Sequence, residues 1–220
     1  MEKAKNMDSL LKHQLESIVE QKRDELTESK ENAEKIAKDF NNFKTQNKLK
    51  REPHYPESYE TYVAVLLALL LLESIMNGIF FARGSEFGYT GGTLIALGIA
   101  TVNLAFSFFL GRYTSYKNHI ENGKKCIGYI CSILIIIWVF SYNLGVAHYR
   151  QQLDVDIINA KSSAIELFLK SPFALDSFDY WVLFLIGLLF GLIAYGEGYL
   201  WNDQYPGYGQ LHKRLKLMQE

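Results

Sequence analysis

Four apolar runs, each of about twenty residues and almost free of charge, fill the chain between Tyr62 and Trp201. A bilayer core about 30 Å thick is crossed by roughly 20 helical residues rising 1.5 Å each. The first run, YVAVLLALLLLESIMNGIFF, covers Tyr62 to Phe81 and contains one carboxylate. The second covers Gly92 to Leu110, the third Cys126 to Ala147 and the fourth Asp179 to Trp201. A core helix of a soluble protein can be this apolar, but four within 140 residues leave too little polar surface to enclose them. The expected fold class is therefore all-α: a polytopic membrane protein with four transmembrane helices and a long N-terminal cytoplasmic helix. Tyr62, Tyr89, Tyr113, Tyr180, Trp181 and Trp201 fall near the ends of the runs, where amphipathic rings favour the headgroup zone.

The distribution of Lys and Arg sets the orientation. With the N-terminus inside, the inner segments carry 12 (Met1–Ser58), 4 (Arg112, Lys117, Lys124, Lys125) and 3 (Lys213, Arg214, Lys216). The outer loops carry Arg83, and then Arg150, Lys161 and Lys170. Nineteen against four places both termini in the cytoplasm. The net charge of −1 is uninformative, because it averages regions that sit in different solvents. No secretory signal peptide is expected, since some fifty residues rich in charge precede the first apolar run.

Three segments follow from this pattern: a cytoplasmic helical stalk at 1–52, a transmembrane domain at 53–201 and a basic cytoplasmic tail at 202–220. From Asp8 to Lys50 there is no Pro or Gly, and Glu, Lys, Gln, Leu and Ala dominate, all good helix formers. Leu11, Leu15, Ile18, Leu26, Ala33, Ile36, Phe40 and Phe43 form a thin apolar stripe in steps of three and four, with one stutter at Lys22. Such a polar helix is either solvated and held by Glu–Lys pairs, or a coiled coil between subunits with Ile36, Phe40 and Phe43 in the seam. Pro53 and Pro56 are expected to end it.

Polar side chains recur within the runs. Glu73 and Asn77 share a face of the first at spacing four, and Asn103 and Ser107 repeat that spacing in the second. Ser141 and Asn143 lie in the third. A carboxylate deep in lipid costs about 2.5–3.5 kcal/mol or more, so Glu73 should face protein or water. Interhelical hydrogen bonding competes here with a water-filled path lined by Glu73, Asn77, Asn103 and Ser107, placed on an axis shared by several copies. Gly187 and Gly191 form a GxxxG that permits close helix approach, within one chain or between copies.

Where the fourth run ends, GEGYLWNDQYPGYGQLHKR gathers Gly, Pro and Tyr. It reads either as helix termination with interfacial anchors, or as a structured turn in which Glu197, Asp203, Tyr205 and Tyr208 build a gate or ligand seat. His212, Lys213, Arg214 and Lys216, with Lys44, Lys48, Lys50, Arg51, Lys124 and Lys125, would place positive charge along the inner face. Anionic lipid headgroups account for that charge, and so does an anionic ligand such as a nucleotide or oligonucleotide. The loop from Tyr149 to Ser177 has the apolar residues for an interfacial helix.

No GxSxG, HExxH, P-loop or CxxC is present, so no enzyme, cofactor or metal site is expected. Cys126 and Cys131, five apart, read as small apolar residues. In architecture, a small four-span protein with a cytoplasmic helix resembles membrane effectors of bacterial anti-phage systems, which permeabilise the inner membrane; the likeness lies in layout and involves no site residue. It implies a bacterial inner-membrane location and a permeabilising activity; with the polar faces of the first two runs and the basic inner face, the expected function is a homo-oligomeric channel or pore-forming effector gated from the cytoplasm by an anionic ligand or protein partner. The alternative is a non-conducting membrane scaffold that recruits a soluble partner through its N-terminal helix. Topology is testable: cysteines at Ser9 and Gln219 should be labelled only from the cytoplasm and one at Ser163 only from outside. Labelling of Ser163 from the cytoplasm would remove the four-span arrangement.

Overall fold

A computed structural model describes residues 2–56, 58–83, 85 and 87–218, with side chains from residue 13 onward. The side chains of Ser9 and Leu11, and all of Gln219, lie outside what is described. Among the described residues every regular element is helical. The chain divides into two compact units, residues 54–206, and residues 1–53 together with 207–220.

In the larger unit four helices are long and apolar enough to cross a membrane: α2 (Glu60–Ala82), α3 (Gly88–Thr114), α4 (Asn122–Leu153) and α6 (Phe178–Leu200). This is the pattern of a multi-pass integral membrane protein. A 3-10 turn, Ser115–Asn118, prolongs α3, and a short α5 (Ala160–Lys170) stands between α4 and α6 in sequence. The helices outrun the apolar stretches. Six residues beyond Ala147 stay helical in α4 because their polar groups find partners. His148 Nε2 meets Pro172 O at 2.8 Å, and Gln151 Nε2 donates to Asp176 Oδ2 at 2.7 Å while its Oε1 accepts from Asp176 N. Arg150 Nε donates to Phe80 O; its Nη1, 2.7 Å from Asp154 Oδ1, makes an ion pair without hydrogen-bond alignment.

Lipid tails are as apolar as Leu, so burial of large hydrophobes does not drive these helices together, and close packing must do so. Leu67, Leu71, Ile79, Ile133, Ile136 and Leu189 accordingly point outward, more than half exposed. Apart from Leu104 and Leu110, the buried residues of α3 are small or polar, Gly92, Ala96, Ala100, Asn103, Ser107, Gly111 and Thr114 among them. On α6 it includes Gly187, Gly191, Ala194 and Gly198. Backbones touch at two crossings. A Cβ on Gly92 would stand 2.5 Å from Ala82 N, and Cβ atoms on Gly111 and Gly198 would overlap Tyr195 O and Phe108 O respectively. Apolar clusters fill the remaining interior, with Phe81, Ala96, Leu153, Ala160 and Leu183 at the α5 end, and Leu110, Cys131, Ile135 and Val139 on the α4 side.

The smaller unit pairs α1 (Glu2–Gln46) with α7 (Tyr208–Leu217), a helix that the reading of 202–220 as a plain basic tail did not include. The helix α1 stops short of Lys50, and no proline stops it. Lys48 turns left-handed (φ 54°), and Leu49 N reaches back to Lys44 O at 2.9 Å, a six-to-one closure of the kind that ends helices. Asn47 Nδ2 caps Phe43 O at 2.9 Å. Phe40 and Phe43 stack on Tyr208 at 5.6 and 6.2 Å, and Phe40 also meets His212 at 5.2 Å. Those two aromatics thus face a helix of their own chain, and Ile36, one turn earlier, is half-buried. Farther up α1, Leu15, Ile18, Val19 and Leu26 are exposed.

The α3–α6 crossing can be tested by adding one methyl group. Gly111→Ala should lower the thermal midpoint in detergent, with overpacking in the range of about 1–3 kcal/mol. Gly98→Ala, where a Cβ meets open space, should leave the midpoint unchanged or raise it. Equal midpoints for the two variants would dismiss the crossing as a determinant of the fold.

Candidate functional site

At the middle of the four long helices their polar side chains converge. Glu73 and Asn77 of α2 and Asn103 and Ser107 of α3 are all at most 2% exposed, and Asn143 of α4 is 3% exposed. The spacing of four that put each pair on one helix face also turns both faces inward. Asn103 is the hub. Its Nδ2 donates to Glu73 Oε1 at 3.0 Å and to Gly187 O of α6 at 2.8 Å, while its Oδ1 lies 3.4 Å from Asn143 Nδ2. Asn143 Nδ2 also donates to Val139 O at 2.8 Å. One asparagine therefore links all four helices.

The glycines of α6 make the room. A Cβ on Gly187 would overlap Asn143 Oδ1, and one on Gly191 would come to 3.0 Å from Asn103 Oδ1 and 3.2 Å from Ser107 Oγ. GxxxG here admits polar side chains within one chain. Not every polar atom is paired: Glu73 Oε2, Asn77 Oδ1 and Ser107 Oγ have no hydrogen-bond partner. Because α2 and α3 contact antiparallel at Glu73 and Asn103, Asn77 lies on the α5 side of that contact and Ser107 on the other, each about one turn or ~6 Å along its helix. The three oxygens belong to residues at three successive levels of the bundle.

The four residues read as pore-lining are thus brought together, but inside a single protomer and not on an outer face that several copies could share. Asn143 and Gly187 complete the cluster. The sequence signal for Asn143 was a polar residue in a spanning run, and for Gly187 the GxxxG; their role emerges only once the helices are packed.

The gate and ligand candidates divide between the two units. In the larger one, Asp203 is 1% exposed. Its Oδ2 accepts from His54 N and its Oδ1 from Tyr205 N, both at 2.6 Å. Tyr205 stacks on His119 at 5.2 Å, and its hydroxyl accepts from Ile120 N. Tyr59 hydroxyl donates to Asn202 Oδ1, and Asn118 Nδ2 to Gln204 O. The segment after α6 is a built turn with its carboxylate engaged by backbone amides, and it ties His54 to 203–205, next to the two points where the chain leaves this unit. Glu197 is half-buried on α6. Lys124 pairs with Glu121 at 2.6 Å, a hydrogen bond that holds the Glu121 carboxyl below its usual range; Lys125 is exposed.

In the smaller unit Tyr208 is fully buried and donates to Arg51 O at 2.7 Å, with the Arg51 guanidinium 5.7 Å from its ring centre. Lys44 bonds Glu52 at 3.1 Å, which lifts the lysine above its usual value. Lys48, Lys50, Arg214 and Lys216 are exposed, and His212 and Lys213 half-buried. Comparison of the chain with family models, curated proteins and solved structures gives no match.

The contact between Gly187 and Asn143 offers a test of the polar centre. Gly187→Ala should destabilise the protein, and adding Asn143→Ala should recover stability. A double-mutant cycle by unfolding in detergent should give a coupling of about 0.5–3 kcal/mol. Strict additivity would mean that the two residues do not share the space.

Proposed function

We propose that this protein is a homo-oligomeric channel or pore-forming effector of a bacterial inner membrane, with both termini cytoplasmic, and that the arrangement described is its closed state. The observation that carries the reading is Glu73: a wholly enclosed carboxylate at mid-span with one oxygen unpartnered. Ionisable groups at that depth are expensive and face protein or water. A non-conducting scaffold would need such groups only to satisfy one another, yet Asn77 Oδ1 and Ser107 Oγ are also left over. Parting α2 and α3 from α6 would give all three oxygens to water. The conducting route then runs among the helices of each protomer, lined by Glu73, Asn77, Asn103 and Ser107. The one carboxylate along it, Glu73, favours cations.

Gating comes from the cytoplasmic side in this reading. The tie between Asp203 and His54 N means that a ligand or partner shifting residues 1–53 or 207–220 pulls on the ends of α2 and α6 together. The exposed cations Lys48, Lys50, Arg214 and Lys216 suit an anionic trigger, nucleotide or oligonucleotide. Assembly through α1 as a coiled coil would use Leu15, Ile18, Val19 and Leu26, since Phe40 and Phe43 are taken up by α7. Loss of membrane integrity on activation is the outcome shared with the anti-phage effectors that the layout resembles. The scaffold reading draws on the tight closure of the bundle and on the same exposed stripe of α1, which would then receive a soluble partner.

Glu73→Gln keeps the size and the hydrogen bond from Asn103 but removes the charge. The variant should fold and assemble as the parent does, yet lose conductance or cation preference in reconstituted bilayers. Glu73→Leu, by contrast, should also lower stability, by about 1–3 kcal/mol, because Asn103 loses its acceptor. A conducting parent whose current and selectivity survive Glu73→Gln would take Glu73 out of the path.

A further inference from the structure

Where α3, α4 and α5 meet, the surface of the larger unit is concave. An apolar groove of about 520 Å³ opens to the outside of the bundle, walled by Ile99 of α3, Tyr142 and Val146 of α4, and Ile165 and Phe168 of α5. Gly145 contributes to its floor, and a Cβ there would find no atom within 4 Å. Along α4 the lining runs from Ser141 to Tyr149, a rise of about 12 Å, close to the depth of one leaflet. The Tyr142 hydroxyl is engaged with Ile99 O at 2.9 Å, so the deep part of the groove presents alkyl and aromatic surface. Among the described residues α5 packs chiefly on α4, and the groove separates it from α3.

The charge at the border of the groove is Lys161. Arg150 is paired with Asp154 at 2.7 Å and Lys170 with Glu166 at 2.5 Å, whereas Lys161 is exposed and makes no ion pair among the described residues. We propose that the groove binds one acyl chain of an anionic phospholipid whose phosphate rests on the Lys161 ammonium. The occupant follows from the surroundings. Between apolar surfaces and lipid tails there is no hydrophobic preference, so a lipid that stays needs a concave fit and a charged contact. The groove supplies the first and Lys161 the second. A chain lodged there would bridge α5 to α3. The site stands whether or not the protein conducts.

The test uses the full chain in phosphatidylcholine vesicles doped with phosphatidylglycerol that carries a photoactivatable group midway along one acyl chain. Adducts should concentrate on peptides containing Ile99, Tyr142 and Val146. Gly145→Trp, which fills the groove, should abolish most of them, whereas Gly145→Ala should keep them. Lys161→Glu, a surface change that leaves the core untouched, should erase the preference for the phosphatidylglycerol probe over a matching phosphatidylcholine probe. Adducts spread evenly over the exposed faces of α2, α4 and α6, and unmoved by either substitution, would overturn the site. So would protection of the groove from both probes together with a disulfide between copies in Gly145→Cys, because the occupant would then be a second copy of the chain.

Discussion

Hydrocarbon offers a carboxylate nothing, and the placement of Glu73 at the centre of a spanning helix decides how the other three helices must stand. Its oxygen has to meet a donor from another helix, and Asn103 supplies it. Asn103 in turn has a second N–H to place, which goes to Gly187 O, and a carbonyl that draws Asn143. Those contacts need side chains where a Cβ on α6 would stand, so the glycines at 187 and 191 follow from the asparagines as much as from helix packing. Apolar surface could not impose this arrangement, since it is as content against lipid as against another helix. The polar centre fixes rotation and register, and the small-residue crossings at Gly92, Gly111 and Gly198 fix distance.

The two ends of the bundle are built differently. At the α5 end, Arg150 ties α4 to α2, and His148 and Gln151 bind the loop between α5 and α6 to it, while a groove keeps α5 apart from α3. At the other end, aromatic rings and one buried carboxylate do the joining. Trp201 packs against Tyr59, Tyr62 and Phe108, and Asp203 holds His54 N. Such a junction closes through ring contacts and a few directional bonds, so its strength depends on local geometry.

The four long helices were legible because a period-free apolar run of twenty residues has few other fates, and the inward faces of Glu73, Asn77, Asn103 and Ser107 were legible because spacing four fixes a helix face. Their enclosure within one chain was not, because which helix a polar face meets depends on packing that no single run encodes. Phe40 and Phe43 fitted a heptad as well as they fit Tyr208; the partner lay 165 residues away from the second of them, in a segment whose charge obscured its helical period. The end of α1 was missed for a related reason, since a lysine in a left-handed turn carries no signature comparable to the prolines that follow.

The positions of these features bear on how an end could act on the centre. The junction at Asp203, just past the end of α6, lies five residues beyond Gly198, and the polar centre at Gly191 lies seven residues before it. At Gly198, as at Gly111 beside Tyr195, α6 and α3 touch backbone to backbone, a contact with no side chain to yield. A helix held at such a point tilts more readily than it bends. A displacement at the Asp203 end would therefore appear, with opposite sense, at Gly191 and Gly187, about 10–16 Å from Gly198 along the helix. That is where Asn103 and Asn143 depend on the absence of a Cβ and where hydrogen bonds, once broken, leave oxygens that only water can satisfy. On the proposed reading the bundle is a lever with its fulcrum near the cytoplasmic end, and the unpartnered oxygens of Glu73, Asn77 and Ser107 are what makes the hydrated position energetically accessible.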